Sequence, residues 1–252
     1  MANAHHDEFD FRAEFIQEIA EQHLAFEIRG ILTANDRILT LGTDTKVLST
    51  VFELLSQPLV QAIADRHGLQ LFTAPQTIYP DFTLMTDAAD PAKIAVDIKT
   101  SYRRAGGVAG FTLGSYTSFL RNNTKNIAFP YSTYAKHWIL GFVYSRAAAE
   151  ESRVVTLEDR ATITCPYNDV EWFVQEKYKI AGLVPGSGNT ANIASIQTAN
   201  VDDFRNGNGP FADLGEEYFR EYWANFGATN GVKFYHTIAG FEHWKEQQAA
   251  GH

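Results

Sequence analysis

Two carboxylates and a lysine have a spacing that could support phosphodiester hydrolysis. Asp97 and Lys99 lie two residues apart in KIAVDIKTSY, residues 93–102, which has the composition of a buried β-strand. Because side chains alternate faces along a strand, both are expected on the same face. Asp81 begins the preceding strand candidate, DFTLMT. If the two strands pair as a hairpin, Asp81 comes close to Asp97.

Two converging carboxylates repel each other unless a cation lies between them. Mg²⁺ commonly binds one or two carboxylates and keeps several waters. Lys99 could orient or help to deprotonate such a water, or stabilise charge on a phosphate. A metal-activated water and electrostatic support are what phosphodiester hydrolysis requires. The spacing alone also fits a structural Asp97–Lys99 ion pair on a half-exposed face, with Asp81 capping a turn after Pro80.

The surrounding pattern predicts a mixture of helices and strands without a regular βα repeat. Helices are expected over residues 7–24, from Thr45 to near Gly68 with a bend at Pro58, and over EEYFREYWANF. The predicted strands are the hairpin FEIRGILT and RILTLG, then DFTLMT, KIAVDIKTSY, KHWILGFVYSR and VEWFVQEKYKIAGL. We therefore expect an α+β fold, or an α/β fold with a mixed sheet.

Length and composition are those of an ordinary soluble protein. The chain has 252 residues, 20% of them charged, which suits one domain over residues 1–252 with a short, flexible acidic N-terminal tail. No apolar run approaches the roughly 20 residues that span a bilayer, so no membrane association is expected. A single cysteine, Cys165, excludes an internal disulfide and suits a reducing cytoplasm. The net charge of −9 argues mildly against a nucleic-acid partner, but a local basic cleft can coexist with it.

The segment GSGNT, residues 186–190, is suited to close approach to DNA bases. Gly186 and Gly188 have no Cβ, so the backbone could enter a groove. Asn189 could make a bidentate contact with adenine, and the Thr190 methyl could meet the methyl of thymine. A plain turn or an anion-binding nest is the alternative interpretation of such a loop.

The chain resembles the type II restriction endonucleases of the EcoRV family, within the PD-(D/E)xK nuclease superfamily. The superfamily signature PD-x15-D-x-K is formed by Pro80, Asp81, Asp97 and Lys99. The resemblance continues in order from about residue 25 to residue 225. It is carried by LGTDTKVLSTVFELLSQP, YPDFTL, IAVDIKTSY, FTLGSYTSFLRNNTKNIAFP, KHWILGFVYSR, IAGLVPGSGNTANIASI and EEYFREYW. It implies a restriction-endonuclease-like fold, with a central mixed β-sheet flanked by helices.

The resemblance also implies a metal-dependent active site. Asp81 and Asp97 match the family's Mg²⁺-binding carboxylates, and Lys99 matches its catalytic lysine. Glu53, in VFELLS, matches an accessory acidic residue that contributes to catalysis and metal binding, although a solvated helix face would also explain it. Mn²⁺ is expected to substitute for Mg²⁺.

Ten residues are implied to contact DNA. Gly186, Ser187, Gly188, Asn189 and Thr190 match the loop that reads the major groove, whereas Ala191 departs from the family's hydroxyl residue. Gln76 belongs to a shortened minor-groove loop. The segment next to the DNA backbone contains Thr112, Ser118, Asn123 and Lys125. This segment could equally be matched because it packs and organises a dimer.

The implied function is a homodimeric, Mg²⁺-dependent type II restriction endonuclease of the bacterial cytoplasm. The resemblance implies the target GATATC, bent at its central TA step and cut there to leave blunt ends with 5′-phosphates. A companion DNA methyltransferase in the same restriction-modification system would protect the host. Two alternatives remain open: a superfamily nuclease of DNA repair or mobile-element processing, and a catalytically silent DNA-binding protein.

Overall fold

The computed structural model describes residues 9–23, 25–148, 151–186 and 189–250, and at residues 189 and 190 it describes the backbone alone. The predicted acidic tail and two of the predicted base-reading residues, Ser187 and Gly188, therefore lie outside the described residues.

Six helices and thirteen strands form the described part of the chain. The helices are α1 (Phe11–Gln22), α2 (Thr45–Arg66), α3 (Lys177–Ile180), α4 (Val201–Asn206), α5 (Gly215–Asn225) and α6 (Ile238–Ala250). The strands are β1 (Gly30–Leu32), β2 (Arg37–Thr40), β3 (Gln70–Thr73), β4 (Phe82–Met85), β5 (Lys93–Tyr102), β6 (Thr112–Ser115), β7 (Tyr134–Arg146), β8 (Val154–Thr156), β9 (Tyr167–Glu176), β10 (Ala181–Gly186), β11 (Asn189–Ser195), β12 (Ala228–Thr229) and β13 (Val232–Lys233).

A five-stranded mixed sheet lies at the centre, in the order β3-β4-β5-β7-β9. Only β5 and β7 run parallel, and the other neighbours are antiparallel. A parallel pair needs a long crossover connection, and residues 103–133 supply it. The expected fold class, a mixed sheet flanked by helices, is confirmed.

One face of this sheet packs against α1 and α2. Each helix begins at an aspartate, Asp10 or Asp44, whose side-chain oxygen accepts hydrogen bonds from two amides of the first turn. Phe52 of α2 stacks on Phe142 of β7 with ring centroids 4.7 Å apart. From β5, Val96 and Ile98 enter this core. The alternation of side chains along β5 therefore turns Asp97 and Lys99 to the other face.

The α2 helix corrects the expectation that no apolar segment is long enough to span a membrane. Its 22 residues meet that test by length and composition. However, it buries eight residues, from Leu48 to Ala64, in the packed core beneath the central sheet. We therefore assign it as a core helix.

The opposite face of the sheet is covered by the second half of the chain. Ile139, Val143 and Phe173 of the sheet join a second core with residues of β6, β11, α4 and α5. A smaller three-stranded sheet, in the order β10-β11-β6, contributes Ala181, Ile193 and Leu113 to this second core.

The hairpin predicted near residue 35 is confirmed. The β1 and β2 strands pair antiparallel from Gly30↔Thr40 to Leu32↔Ile38, and β8 adds to the free edge of β2. This three-stranded sheet exposes several large apolar side chains, namely Ile31, Leu32, Leu39 and Val154.

Two predictions of local structure are wrong. VEWFVQEKYKIAGL is not one strand, because β9 ends at Glu176 where its pairing with β7 ends, and the short helix α3 leads into β10 of another sheet. Residues 186–190 are not a continuous loop, because Gly186 ends β10 and pairs with Asn189 at the start of β11. The antiparallel pairing of Gly186 with Asn189 thus extends both strands further than the glycines suggested. The strands β3, β6, β8, β12 and β13 and the helices α4 and α6 were not predicted.

Candidate active site

The pairing of β4 with β5 brings Asp81, the residue before β4, next to the middle of β5. Phe82, the first residue of β4, pairs with Val96, so the backbone pairing of β4 ends just before Asp97 is reached. Beyond that point the amide of Ile98 donates a hydrogen bond of 2.6 Å to Asp81 Oδ2. At the point where the two strands separate, the Asp81 carboxylate thus accepts the hydrogen bond that a backbone carbonyl of a neighbouring strand would accept.

Asp97 and Lys99 lie on one face of β5, as predicted. Lys99 Nζ is 2.6 Å from Asp97 Oδ2, so the two side chains form an ion pair. The Asp97 side chain is only 3% exposed, whereas that of Lys99 is 24% exposed. The alternative of an ion pair on a half-exposed face therefore does not describe Asp97, whose carboxylate is buried at the bottom of the pair.

The surroundings of Asp81 change its ionisation. Burial, followed by the charge of Asp97, raises the pKa of Asp81 to about 7. Burial would lower the pKa of Lys99, but Asp97 and Asp81 outweigh it and raise that pKa. In the absence of a metal, the cleft thus holds one carboxylate that ionises only near neutral pH.

Glu53 is half-buried on α2. It is close enough for the charges of Lys99 and Asp97 to act on it, but it does not form a cluster with the two aspartates. Burial raises its pKa, and the charges of Lys99 and Asp97 act on it in opposite directions. No group of three or more Asp, Glu, His or Cys side chains close enough to hold a metal occurs in the described ranges. Glu53 therefore does not complete a three-carboxylate cluster, and its part in metal binding stays a prediction.

The donor set fits Mg²⁺. Two carboxylates that meet in a cleft leave most coordination positions to water, which is the arrangement that Mg²⁺ favours. Burial and the charge of Asp97 raise the pKa of Asp81, and a cation placed between the two carboxylates would offset both effects.

A cleft of about 320 Å³ surrounds these groups. It is lined by Asp81, Asp97 and Lys99 together with Thr77, Ile78, Tyr79, Gly114, Ser115, Ser118, Phe119, Asn126 and Asn192. Of the predicted DNA contacts that the structure describes, Ser118 alone is among these lining residues. Apart from Ser118 and the three catalytic candidates, the lining residues were not predicted, although Tyr79 adjoins the PD pair and Gly114 and Ser115 lie in the well-matched segment FTLGSYTSFLRNN.

Tyr79 holds the segment that carries Asp81. Its hydroxyl is 2.8 Å from Nδ1 of His137, and its ring stacks on Phe119 with centroids 4.4 Å apart. Its backbone carbonyl accepts a hydrogen bond from the amide of Ala128. Burial lowers the pKa of His137 well below its usual value, so the imidazole is neutral and acts as a structural partner. The bond from Tyr79 to Pro80 is cis.

The predicted base-reading segment lies at the end of the β10–β11 hairpin. The hairpin is attached to the cleft through β6, where Asn192 pairs with Ser115. Both of these residues line the cleft. Gly186 and the backbone of Asn189 and Thr190 are described, whereas the side chains of the latter two lie outside the description. Their contacts with bases stay predictions.

The predicted backbone-contacting residues lie in different environments. Ser118 lines the cleft but is buried, and its Oγ has no hydrogen-bond partner within the described ranges. Thr112, Lys125 and Gln76 are exposed. Asn123 is exposed but has a structural role, because its Oδ1 accepts a hydrogen bond of 2.8 Å from the amide of Ser132.

Comparison with known proteins identifies relatives over nearly the whole chain. The family model described as "Restriction endonuclease EcoRV" matches residues 22–246. The type II restriction enzyme EcoRV of Escherichia coli is 42% identical over 240 residues, which cover 92% of this chain and 96% of that enzyme. The family match includes every residue that lines the cleft.

Proposed function

The chain belongs to the EcoRV family of restriction endonucleases and is a type II restriction enzyme, and from this premise we propose that it cuts GATATC in an Mg²⁺-dependent reaction. The cut falls at the centre of the palindrome and leaves blunt ends with 5′-phosphates. The observation that carries the chemistry is the meeting of Asp81, Asp97 and Lys99 in one cleft.

Asp81 and Asp97 are the residues that would hold the metal, with Glu53 as an accessory acid. Bound there, Mg²⁺ supplies an activated water and neutralises charge on the scissile phosphate. Mn²⁺, which accepts the same oxygen ligands, is expected to replace it. Lys99, fixed beside Asp97 at 2.6 Å, lies where an ammonium can orient the attacking water and stabilise the charge that develops on the phosphate.

The hairpin segment from Gly186 to Thr190, including Ser187 and Gly188, is proposed to read the bases in the major groove. Asn189 would hydrogen-bond adenine, and the Thr190 methyl would contact thymine. The antiparallel β10–β11 pairing supports this role, because a two-stranded β-ribbon fits the major groove.

Five further residues are proposed to position the duplex. Ser118 would donate to a phosphate oxygen from within the cleft, and this is supported by its unpartnered hydroxyl. Lys125 is exposed and forms no ion pair within the described ranges, so its charge is free for a phosphate. Thr112 and Asn123 would contact the backbone nearby, and Gln76 the minor groove.

We propose that the enzyme acts as a homodimer, since a palindrome is read naturally by a twofold pair with one cleft for each strand. The exposed apolar face of the β1-β2-β8 sheet supports this, with Leu32 63% and Val154 55% exposed. A groove of about 620 Å³ beside it, lined by residues such as Ile28 and Ile163, contains no pair of carboxylates and is not an alternative active site. Sedimentation of the full chain would measure its oligomeric state.

The cellular setting follows from the same premise. The chain is proposed to be one domain that works in the bacterial cytoplasm. A methyltransferase acting on the same site would protect host DNA without needing to bind the enzyme.

Digestion of phage DNA with Mg²⁺ or with a chelator, followed by sequencing of the ends, tests the proposal. Blunt ends at the centre of GATATC, seen only with Mg²⁺, are expected. Blunt ends at another palindrome would reject the target but keep the reaction. Ends without a fixed sequence would favour a repair or mobile-element nuclease, and intact DNA would favour a silent DNA-binding protein.

A further inference from the structure

Lys177, the first residue of α3, is a buried lysine without a hydrogen-bond partner in the part of the chain that the structure describes. It is 1% exposed. Its Nζ lies 4.4 Å from the centroid of the Tyr79 ring and 4.8 Å from that of Phe119. Because an ammonium has three donors, a buried one with aromatic faces as its contacts is costly. A cost of this kind in a native protein calls for a functional explanation.

The groups around Lys177 belong to the wall of the catalytic cleft. Tyr79, Phe119 and Gly114 all line the cleft. A Cβ at Gly114 would come within 3.6 Å of Lys177 Nζ, and this glycine has φ +95°, which disfavours other residues. The Lys177 ammonium therefore lies directly behind this wall.

The charges that act on Lys177 are those of the active site and of one acid on α5. Burial lowers its pKa to about 7, whereas Asp97 raises that pKa, Lys99 lowers it and Glu216 raises it. Lys179, two residues later, is different. It is 33% exposed and pairs with Glu176 at 2.5 Å, and neither Asp97 nor Lys99 is among the groups that shift its pKa.

We propose that Lys177 is a second counter-cation to Asp97, which acts through the cleft wall and weakens the binding of a divalent ion by the DNA-free enzyme. The inference rests on the proposed use of Mg²⁺. A positive charge behind a metal-binding carboxylate offsets part of the attraction that this carboxylate exerts on an incoming cation. The effect is large in a buried site, where charges are poorly screened. Lys177 is thus a positioning residue, which sets the electrostatic potential at the carboxylates without touching the DNA.

Calorimetric titration of the full-length, DNA-free enzyme with Mg²⁺ tests the inference. Lys177→Met removes the charge and keeps much of the side-chain volume. At pH 6, where Lys177 is charged, we expect it to bind Mg²⁺ about tenfold more tightly than the wild type. Lys179→Met is the matched control, with the same loss of charge on a neighbouring, partly exposed residue. It is expected to change the affinity by less than about twofold.

The sign of the change separates an electrostatic role from a structural one. If Lys177 only supported the Tyr79–Phe119 stack, its loss would loosen the cleft and Mg²⁺ would bind more weakly. Equal or weaker binding by a folded Lys177→Met protein, checked by near-UV circular dichroism, would overturn the inference. Lys177→Gln provides a second neutral variant if the methionine protein does not fold.

The experiment can reject the proposed use of Mg²⁺ and the inference about Lys177 separately. If the wild type binds Mg²⁺ and Lys177→Met binds it no more tightly, only the inference is rejected. If neither protein binds Mg²⁺, the proposed use of Mg²⁺ is rejected and the inference with it. If Lys177→Met binds Mg²⁺ and the wild type does not, the proposed use of Mg²⁺ and the inference about Lys177 are both supported.

Discussion

The catalytic cleft and the β10–β11 hairpin are neighbours that are held in place in different ways. Asp97 is buried on β5, where it pairs with Ile139 of β7 on one side and follows the last residue paired with β4 on the other. The hairpin is fixed mainly at its base, where Ser195 Oγ accepts a hydrogen bond of 2.8 Å from the amide of Phe111. Towards its end the register shifts between Ala181 and Pro185 and again before Gly186.

The proposed cleavage of DNA and the proposed recognition of its bases therefore depend on regions that are held in place differently. The cleft geometry is determined by neighbours on both sides, so a change there should alter the rate at every site. The end of the hairpin lies beyond Asn192, its last residue paired with β6, so a change there should alter which sequence is cut and leave the chemistry intact. Substitutions in the two regions should therefore give distinct results.

The largest effect is expected for Asp97→Ala. Loss of this carboxylate removes a proposed metal ligand and the partner of Lys99, and cleavage should fall by at least about 10³-fold. Single-turnover cleavage of a duplex containing GATATC measures the loss. Binding of the same duplex without Mg²⁺ should remain, because the hairpin is untouched.

Asp65→Ala is the control for Asp97→Ala. Asp65 lies on the exposed side of α2, so the variant removes one carboxylate outside the cleft. It should cut as fast as the wild type. Substantial cleavage by a clean Asp97→Ala preparation would reject the role assigned to Asp97.

A smaller and more selective effect is expected for Asn189→Ala. A bidentate contact to a base contributes about 1–3 kcal/mol of discrimination, so the preference for GATATC over sites with one changed base should fall accordingly. Cleavage rates on a matched set of duplexes measure it. Asn206→Ala, at an exposed position at the end of α4, is the control. An unchanged digestion pattern and rate for Asn189→Ala would contradict the proposed contact.

The same contrast explains how much the sequence could predict. The meeting of Asp81 with Asp97 follows from two general rules, alternation of side chains along a strand and pairing of consecutive strands. Asn192 and Lys177 could not be found in that way, because they lie far along the chain. Asn192 lines the cleft from β11, and Lys177 lies behind the cleft wall on α3. Their positions depend on how the second sheet packs, which local patterns do not encode.

The two wrong predictions of local structure have the same origin. Aromatic and branched residues from Val170 to Val174 and again at Tyr178 and Ile180 favour a strand, yet the segment divides at Glu176, where its pairing with β7 ends. The break at α3 is what places Lys177 behind the cleft. Strand length is decided by tertiary pairing, so the propensity of the segment itself could not reveal the break.

The raised pKa of Asp81 predicts that Mg²⁺ binding depends on pH in the cleft. With a pKa of about 7, the carboxylate is largely protonated at pH 6 and ionised at pH 8. Since a metal binds the ionised form, affinity should rise about tenfold from pH 6 to pH 8 and then level off. Calorimetric titration at these pH values measures the rise.

Lys177 titrates in the same range and acts in the same direction, because its positive charge is lost as the pH rises. Lys177→Met should therefore show a shallower rise than the wild type, with the Asp81 contribution remaining. Affinity that does not vary with pH in either protein would contradict the coupling between Asp81 and Asp97.

An effect is also expected on stability. It measures how much the ionised Asp81 carboxylate lowers the free energy of unfolding. The pKa of Asp81 is higher in the folded protein than its usual 3.8, so ionisation of Asp81 disfavours folding. This destabilisation is absent at low pH, grows as the pH rises from 4 to 7, and is complete above the folded pKa. Asp81→Asn keeps an oxygen that can accept from the Ile98 amide but removes the charge.

We therefore expect metal-free Asp81→Asn to be more stable than the wild type at pH 8, by about 1–3 kcal/mol, with little difference at pH 4. Thermal unfolding at both pH values measures this. Asp36→Asn, in the exposed β1–β2 turn, removes a negative charge from a region without paired carboxylates and should show no such gain. Mg²⁺ should reverse the order at pH 8, because it stabilises the protein that binds it. If Asp81→Asn were instead less stable at pH 8 without metal, Lys99 would already offset the repulsion between the aspartates.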